Sequence, residues 1–568
     1  MARSTAERPV MAAPTRLPDV RQALAWRDIH SGLDEAAARR VPILCLAESP
    51  WSNGAQRLAL VLGQHDETRD LVESSFVPVI VDPLERPDVA ARLAWAASTL
   101  TGTVGPPLLA LLTPSGSPFL AYCTLWPEGR DPYPSLHSLL RSVADLDRER
   151  RTALENEAMA LQARAGGRAA SAPRHTAWQR IRDHVDARFG GLQESPKCPH
   201  PHVLWQLLDE AAHPPVRAHL VRTLEGMQRG GILDQLDGAF HRCSRDERWI
   251  VPHFEKLVPT NAALAAVYAR AASLFDRPDF LATADGAAAF AAAGLESGTM
   301  VIASDARHYT WTPGQFQEEL DPGLIQALGL HFKITRDDSP HVLYRALEAD
   351  QMGDYADEDP AVLSERIDEG KAHLLRVRMR RPPPARHAVD APAWHAETLR
   401  WLFEAGRHDV DVDEGMLDRR LRALLAGHFD PNLGYARTSR AGARYWLEDQ
   451  TALATACLAA GAGVPEAHGS AIVLADIILE AYCDAETGAL LDAPHEGGGR
   501  RRPSQAVVDG TLWAAVPSTI ELLRTLAHEE RGSQRSRSTS CVRFERAAEV
   551  AERRHRDATH AASAYDLR

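Results

Sequence analysis

The chain has 568 residues, more than one hydrophobic core usually organises, which indicates two to four domains. Its 45% hydrophobic and 25% charged residues are typical of a soluble globular protein, and its net charge of -13 argues against nucleic-acid binding. No run of about 18 apolar residues is present, so the sequence predicts no membrane span, and its beginning lacks the apolar segment of a signal peptide.

The seven cysteines are scattered along the chain, and none forms a CxxC pair. A reducing compartment in which every cysteine is a free thiol is the simplest interpretation. We therefore expect a cytoplasmic protein with no disulfides.

Residues 19–150 show the βαβαββα order of a thioredoxin fold, with parallel strands joined by crossovers and then an antiparallel hairpin. Short, nearly continuous apolar runs predict strands that are buried on both faces. The predicted strands are 41–46, 76–81, 107–112 and 118–124, and the predicted helices are 55–74, 85–100 and 136–146.

The functional position of a thioredoxin fold is the loop after the first strand, where the next helix stabilises a thiolate. Here Ser49, Trp51 and Ser52 occupy a degenerate redox loop, and because hydroxyls cannot form a disulfide, we exclude dithiol chemistry there. Cys45 is interpreted as a small buried hydrophobe within the strand. Pro107 stands where thioredoxin folds keep a cis-proline, and an ordinary strand-edge proline is the alternative.

A second region follows a predicted helical linker at 151–175. Here strands largely give way to long amphipathic stretches and a recurring DxxxG pattern. The four copies are Asp186–Gly190, Asp234–Gly238, Asp430–Gly434 and Asp484–Gly488. The first two copies and the last two copies are each about 50 residues apart, a spacing typical of helix-hairpin repeats. The predicted fold class is therefore α/β plus all-α: a thioredoxin-like domain and then an (α/α)6-type toroid over 176–530. The segments 1–18 and 531–568 are predicted to be mostly disordered.

Residues 230–256, GGILDQLDGAFHRCSRDERWIVPHFEK, closely resemble the GGI-D---GGFHRYS-DE-W-VPHFEKMLYDNA signature of the spermatogenesis-associated thioredoxin-like family. Further matching blocks are FVPVIVDPLERPD at 76–88, SPKCP at 195–199, YTWT at 309–312 and LED at 447–449. The resemblance covers about 16–528 and implies a thioredoxin-like domain joined to a toroid similar to six-hairpin glycosidases and N-acylglucosamine epimerases. The chain departs from the family pattern at CHWC, which is SPWS here, and at FHRYS, which is FHRCS.

Chemistry on a sugar ring needs proton donors and acceptors on opposite sides of the ring, together with aromatic walls. The predicted catalytic residues are His241, Asp246, Glu247, His253 and Glu255. The predicted substrate-binding residues are Arg242, Trp249, Lys256, Asn261, Asp305, Trp311, Glu448 and Asp449. The alternative is that the charged residues of this set form ion pairs that hold loops together at the rim of the toroid.

The sequence leaves three alternative functions open, each from a different class. The first is a carbohydrate-active enzyme, an epimerase, isomerase or hydrolase. The second is a non-catalytic binding or scaffold protein, and the third, a thiol oxidoreductase, is opposed by Ser49 and Ser52. We expect no metal, because His241 and His253 lack further ligands at metal spacing, and no cofactor, because nucleotide-binding motifs are absent. The expected partner is a sugar-like small molecule, not nucleic acid or a membrane.

Overall fold

The structure is a computed structural model of the chain. It describes residues 20–48, 58, 61–62, 65–101, 108–122, 129, 134–165, 176–303, 306–334, 339–356, 358–438, 444–494, 515–532 and 539–561. The chain divides into two compact units, the first within Met1–Asp82 and Pro106–Leu161 and the second within Pro83–Gly105 and Gln162–Arg568. Ser49, Trp51, Ser52, Pro107 and Asp305 lie outside the described residues.

The first unit contains a four-stranded sheet in the order β2-β1-β3-β4. Its strands are β1 (Ile43–Ala47), β2 (Val77–Val81), β3 (Leu108–Leu112) and β4 (Pro118–Tyr122). Strand β1 pairs parallel to β2 and antiparallel to β3, and β3 pairs antiparallel to β4. The predicted parallel pair and antiparallel hairpin are therefore confirmed.

Three helices belong to this unit: α1 (Ile29–Arg39), α2 (Asp66–Ser75) and α4 (Leu136–Ala165). Asp28 begins α1 because its carboxylate accepts the backbone N–H groups of His30 and Ser31. Apolar side chains from the strands and from α4, such as Leu46, Phe76 and Leu140, pack into one core. The backbone of helix α4 is non-helical at Arg150, so its first part lies near the predicted helix 136–146 and its second part lies within the predicted helical linker 151–175.

Helix α3 (Pro87–Thr101) falls within the second unit, and the thioredoxin-like domain at 19–150 stays a prediction. One contact that joins its leading loop to this unit is the hydrogen bond from Arg437 Nη1 to the Leu84 carbonyl, at 2.7 Å.

Most of the second unit consists of helices in successive pairs. The pairs in the described residues are α6 (Pro201–Leu208) with α7 (Pro214–Arg229), α8 (Val258–Phe275) with α9 (Pro278–Ser297), α15 (Pro392–Gly406) with α16 (Glu414–Leu425), α17 (Leu447–Ala460) with α18 (Ala467–Ala481), and α19 (Ala515–Gly532) with α20 (Thr539–Ala561). The first helices of successive pairs also contact one another, in the order α6, α8, α15, α17 and α19. Helix α8 is buried on nearly all sides, which explains why it is apolar around its whole circumference.

Smaller elements complete the second unit. They are α5 (Ala177–Ile181), α10 (Ala306–Tyr309), α11 (Pro313–Glu319), α12 (Pro322–His331), α13 (Ala349–Ala356) and α14 (Pro360–Arg378). Strands β5 (Glu255–Leu257), β6 (Thr299–Ala303) and β7 (Ala385–Ala388) form an antiparallel sheet, and β8 (Phe429–Asp430) pairs with β9 (Gly434–Tyr435). Helices α11 to α14 share a separate apolar core around Trp311 and Leu328.

The four DxxxG copies adopt similar turns. In each turn the aspartate carboxylate accepts the backbone N–H group two residues later, at 2.8 to 3.1 Å. The glycine that ends each copy has a positive φ, between 71° and 86°, a conformation that glycine adopts without strain. The copies at Asp234, Asp430 and Asp484 each follow the second helix of one pair and precede the first helix of the next. The predicted repeat therefore lies in the connections between successive helix pairs.

None of the helices among the described residues is long and apolar enough to cross a membrane.

Candidate functional site

Four charged side chains form a buried group that we call the ion quartet: Asp234, Asp237, Lys256 and Arg378. Asp234 and Asp237 belong to the DxxxG turn after α7, Lys256 lies on β5, and Arg378 ends α14. The Lys256 ammonium donates to both carboxylates at 2.7 Å. The Arg378 guanidinium donates to Asp234 at 2.7 and 2.8 Å and to Asp237 at 2.9 Å. The two positive and two negative side chains thus compensate one another.

The two carboxylates of the quartet differ in exposure, since the side chain of Asp234 is 5% exposed and that of Asp237 is 31% exposed. Burial opposes ionisation of Asp234, but Lys256 and Arg378 outweigh it and hold the pKa of that carboxyl well below its usual range. Desolvation, together with the neighbouring Asp234 charge, raises the pKa of Asp237. The site therefore pairs one fixed anion with one carboxyl that gains a proton more readily.

Aromatic rings lie against the quartet. Lys256 Nζ is 5.0 Å from the centre of the Tyr309 ring, and the Arg378 guanidinium is 5.4 Å from it. The His241 ring meets Tyr309 edge-on, with centroids 4.8 Å apart. Among the described residues, the Tyr309 hydroxyl has no hydrogen-bond partner, although the side chain is only 6% exposed. A phenol in this position can donate to, or accept from, a bound molecule.

His241, one of the predicted catalytic residues, is therefore part of this group. Its side chain is 2% exposed, and no group in the described residues is hydrogen-bonded to its Nδ1 atom. Burial, assisted by the Lys256 charge, holds the pKa of His241 well below 6.5. The imidazole is consequently neutral at physiological pH.

Glu255 and Arg242 form a separate ion pair beside the quartet. Arg242 Nε donates to Glu255 Oε2 at 2.7 Å, and the Glu255 side chain is 2% exposed. Burial and the Arg242 charge lower the pKa of nearby His253 to about 4. Glu255 thus has a charged partner already in place, as the rim ion-pair interpretation requires.

Asp246, Glu247 and Trp249 lie in the turn that precedes β5. The Asp246 carboxylate accepts the backbone N–H groups of Arg248, Ile250 and Val251. The Glu247 side chain is exposed, and its carbonyl accepts Lys197 Nζ at 2.9 Å. Trp249 is fully buried and donates its indole N–H to the Phe189 carbonyl at 2.9 Å. These contacts stabilise the turn. Backbone N–H groups hold the Asp246 carboxylate and the Glu247 side chain is exposed, whereas the Glu255 side chain is buried in an ion pair.

Asn261 and Trp311 are fully buried. The Asn261 amide accepts the Phe240 N–H at 2.7 Å and donates to the carbonyls of Phe240 and Leu257. The Arg381 guanidinium lies 3.9 Å from the centre of a Trp311 ring. Both side chains therefore have structural contacts, and neither exposes a surface to a ligand.

Glu448 and Asp449 begin α17 and form a second buried ion group with Arg437. Arg437 Nε donates to Asp449 at 2.8 Å, and another nitrogen of the guanidinium donates to Glu448. Asp449 also accepts the backbone N–H of Ala393, at 3.1 Å. Burial raises the pKa of Asp449 to about 6 despite the Arg437 charge. This group shares no residue with the ion quartet.

Four residues of the quartet region are absent from the predicted site: Asp234, Asp237, Tyr309 and Arg378. Asp234 and Asp237 were noticed only as part of a repeat, and Tyr309 only as part of a family block. A second aspartate inside one DxxxG turn was the available signal, because the other copies lack it. No signal marked Arg378, which lies 144 residues from Asp234.

The expectation that every cysteine is a free thiol is wrong for Cys198 and Cys243, which form a disulfide. Lys197 and Ser244, their neighbours, exchange two backbone hydrogen bonds at 2.7 and 2.8 Å, and this bridge brings the two cysteines together. The family pattern FHRYS quoted above has Tyr at the Cys243 position. Cys45 is a free, fully buried thiol, as predicted.

In the part of the chain that the structure describes, no three His, Cys, Asp or Glu side chains are grouped so that they could hold a metal ion.

Comparisons with known proteins agree with the sequence resemblance. Residues 17–165 match the family model Thioredox_DsbH, described as a protein of unknown function, DUF255. Spermatogenesis-associated protein 20 of Homo sapiens is 31% identical over 299 residues, which cover 46% of this chain and 38% of the human protein. The Rattus norvegicus protein of the same name is 32% identical over 228 residues, covering 37% of this chain and 29% of the rat protein. An uncharacterized protein of Caenorhabditis elegans is 24% identical over 429 residues, which are 66% of this chain and 58% of that protein.

Among solved structures, the crystal structure of D-mannose isomerase aligns with a TM-score of 0.29 and 10% identity over 65% of this chain and 98% of that chain. The aligned part of this chain spans 29% and 38% of the rat and human relatives. The resemblance identified in the sequence is confirmed: this chain is similar to the spermatogenesis-associated proteins, and its residues 17–165 match the Thioredox_DsbH model.

Proposed function

We propose that the second unit binds a neutral, carbohydrate-like small molecule at the exposed side of the ion quartet. One observation carries this proposal: the Asp237 side chain is 31% exposed, while the cations that orient its carboxylate are almost completely buried. Sugar hydroxyls are recognised by carboxylates with fixed geometry, because each carboxylate oxygen accepts hydrogen bonds directionally.

Tyr309 supports the same interpretation. Its unpartnered hydroxyl and its ring lie beside Lys256 and Arg378, so a ligand on Asp237 would meet one aromatic and one carboxylate group. Aromatic rings provide the apolar contact for the C–H face of a sugar.

The proposed architecture for this site is an (α/α) toroid. Contacts between the first helices of successive pairs, from α6 to α19, support it because a ring of such helices is the inner layer that a toroid requires. The loops that carry Asp237 and Lys256 would then lie at one rim.

If the bound sugar is also converted, Asp237 is the group best suited to move a proton. Its pKa is raised, whereas that of Asp234 is depressed, and such a separation distinguishes an acid from a fixed anion. His241, neutral and within contact of Tyr309, would act as a second proton-transfer group.

The test is calorimetric titration of the whole protein with neutral monosaccharides. We expect Asp237→Asn and Tyr309→Phe to weaken binding about tenfold or more, because each removes a hydrogen bond to the ligand. Asp183→Asn, at an exposed aspartate, serves as the matched control. Unchanged affinity in Asp237→Asn, or no binding by the unmodified protein, would refute the proposal.

A non-catalytic binding or scaffold protein is the second candidate. It is favoured by the fact that the predicted proton-transfer groups already have partners: Glu255 is paired with Arg242, and the Asp246 carboxylate stabilises a turn. Sugar binding without product formation across a panel of sugars would select this candidate. A thiol oxidoreductase has the least support, since Ser49 and Ser52 replace the required cysteines.

A further inference from the structure

A second group of polar and aromatic side chains lies on the first helices of two pairs, apart from the residues described above. Glu397, Arg400 and Trp401 belong to α15, and His202 and Trp205 belong to α6. The ring centroids of His202 and Trp205 lie 5.3 and 5.2 Å from that of Trp401, and both rings are edge-on to it.

Of these side chains, Glu397 is the one whose carboxylate lacks a hydrogen bond to one of its oxygens within the described part of the chain. Its residue is 1% exposed, and Oε2 accepts the Trp401 indole N–H at 2.7 Å. The other oxygen, Oε1, is buried and has no hydrogen-bond partner in the described residues. A buried carboxylate oxygen without a donor is costly, so it indicates a missing donor such as a ligand hydroxyl.

Arg400 supplies the complementary charge. Its guanidinium stacks 4.6 Å from the centre of a Trp401 ring and forms an ion pair with Glu397 Oε1, at 3.6 Å, which is longer than a hydrogen bond. Among the described residues the guanidinium makes no hydrogen bond, although its side chain is only 14% exposed. An enclosed arginine with free N–H groups is suited to a carboxylate, which it can bind through two parallel hydrogen bonds.

Trp205 adds a partly exposed aromatic surface to this group of side chains. Unlike the buried Trp401, its side chain is partly exposed, and the Arg270 guanidinium lies 4.7 Å from a ring centre. Burial raises the pKa of Glu397, while the Arg400 charge opposes this shift.

We infer that Glu397, Arg400 and Trp205 form a binding site for a sugar that carries a carboxylate. Arg400 binds the carboxylate, Glu397 Oε1 pairs with a ring hydroxyl, and Trp205 contacts the C–H face. This site shares no residue with the ion quartet, so it extends the proposed function without depending on it.

The experiment is calorimetric titration of the whole protein with D-glucuronate and D-galacturonate, beside D-glucose and D-galactose. We expect uronate binding that Arg400→Gln weakens about tenfold or more, while the affinity for neutral sugars stays within twofold. Glu397→Gln, which can keep the hydrogen bond to Trp401, should weaken uronate binding to a smaller extent. Arg419→Gln, at an exposed arginine on α16, is the matched control.

Unfolding midpoints of the variants establish that each is folded, and Arg400→Lys replaces Arg400→Gln if the latter is not. The inference is overturned if the unmodified protein binds neither uronate at millimolar concentration. It is also overturned if the folded Arg400 variant binds uronates as tightly as the unmodified protein. Loss of neutral-sugar binding in Asp237→Asn tests only the proposed function, so the two failures are distinguishable.

Discussion

Asp234 and Arg378, 144 residues apart in the chain, are joined by two hydrogen bonds at 2.7 and 2.8 Å, and both side chains are 5% exposed. The contact connects the turn after α7 to the end of α14. Because the pair is buried, the loss of one partner leaves a charge in a medium that cannot solvate it.

Arg378→Met should therefore destabilise the second unit by about 3–5 kcal/mol, since two carboxylates would share only Lys256. Urea unfolding followed by circular dichroism measures this. Arg380→Met is the matched control: its side chain is 67% exposed, and its ion pair with Glu319 should contribute at most about 1 kcal/mol. Equal destabilisation by the two substitutions would contradict a structural role for the quartet.

The pH dependence of stability should include a contribution from His219, whose side chain is 3% exposed. Burial and the neighbouring Arg222 charge lower its pKa from 6.5 to about 4. Between these values the unfolded chain binds a proton that the folded chain does not, so stability falls as pH falls from 6.5 to 4. The expected loss is about 3 kcal/mol for this residue.

His219→Leu should remove that contribution and flatten the dependence of the unfolding free energy on pH between 4 and 6.5. Trp178→Phe is the control, because it alters the ring next to His219, at a centroid distance of 5.7 Å, without changing a titratable group. It should shift the whole curve and leave its slope unchanged. An unaltered slope in His219→Leu would show that His219 does not contribute in this way.

Much of the fold follows from the sequence, because local patterns report local structure. Apolar runs predicted the four strands of the first unit, and the DxxxG pattern predicted the turns between helix pairs. The site was harder to predict, because its geometry depends on distant contacts: Lys256 and His241 were identified, whereas Arg378 and Tyr309 needed the fold to bring them together. Asp246 and Trp249 have residue types suited to catalysis or stacking, but only the structure reveals that backbone groups already satisfy them.

Gly434 should tolerate substitution poorly for a reason specific to its turn. Its φ is 86°, and a Cβ atom there would lie 2.1 Å from Gln450 Oε1. Gln450 is fully buried and held by hydrogen bonds to both backbone groups of Tyr435, so it cannot move aside.

Gly298 is the matched comparison, because its φ is 72° and nothing lies within 4 Å of the added Cβ. Gly298→Ala should cost about 1–2 kcal/mol from backbone strain alone. Gly434→Ala should cost about 1–3 kcal/mol more, which the overpacking adds. Thermal or urea unfolding of the two variants measures the difference, and equal costs would show that Gln450 can be displaced.

The disulfide between Cys198 and Cys243 predicts a response to reducing agents, because it closes a loop between residues that are 45 positions apart. Opening this loop should lower the unfolding free energy by about 2–4 kcal/mol. The measurement is urea unfolding of the protein with and without a phosphine reductant, together with peptide mapping under non-reducing conditions.

Cys198→Ser combined with Cys243→Ser should already have the lower stability and should not respond to the reductant. Cys483→Ser, at a partly exposed cysteine outside the disulfide, should respond as the unmodified protein does. Peptide maps of unreduced protein with both thiols free would contradict the pairing. Disulfides are rare in reducing compartments. A confirmed pairing would therefore remove the main support for the expectation that the protein is cytoplasmic, because that expectation rested on free thiols.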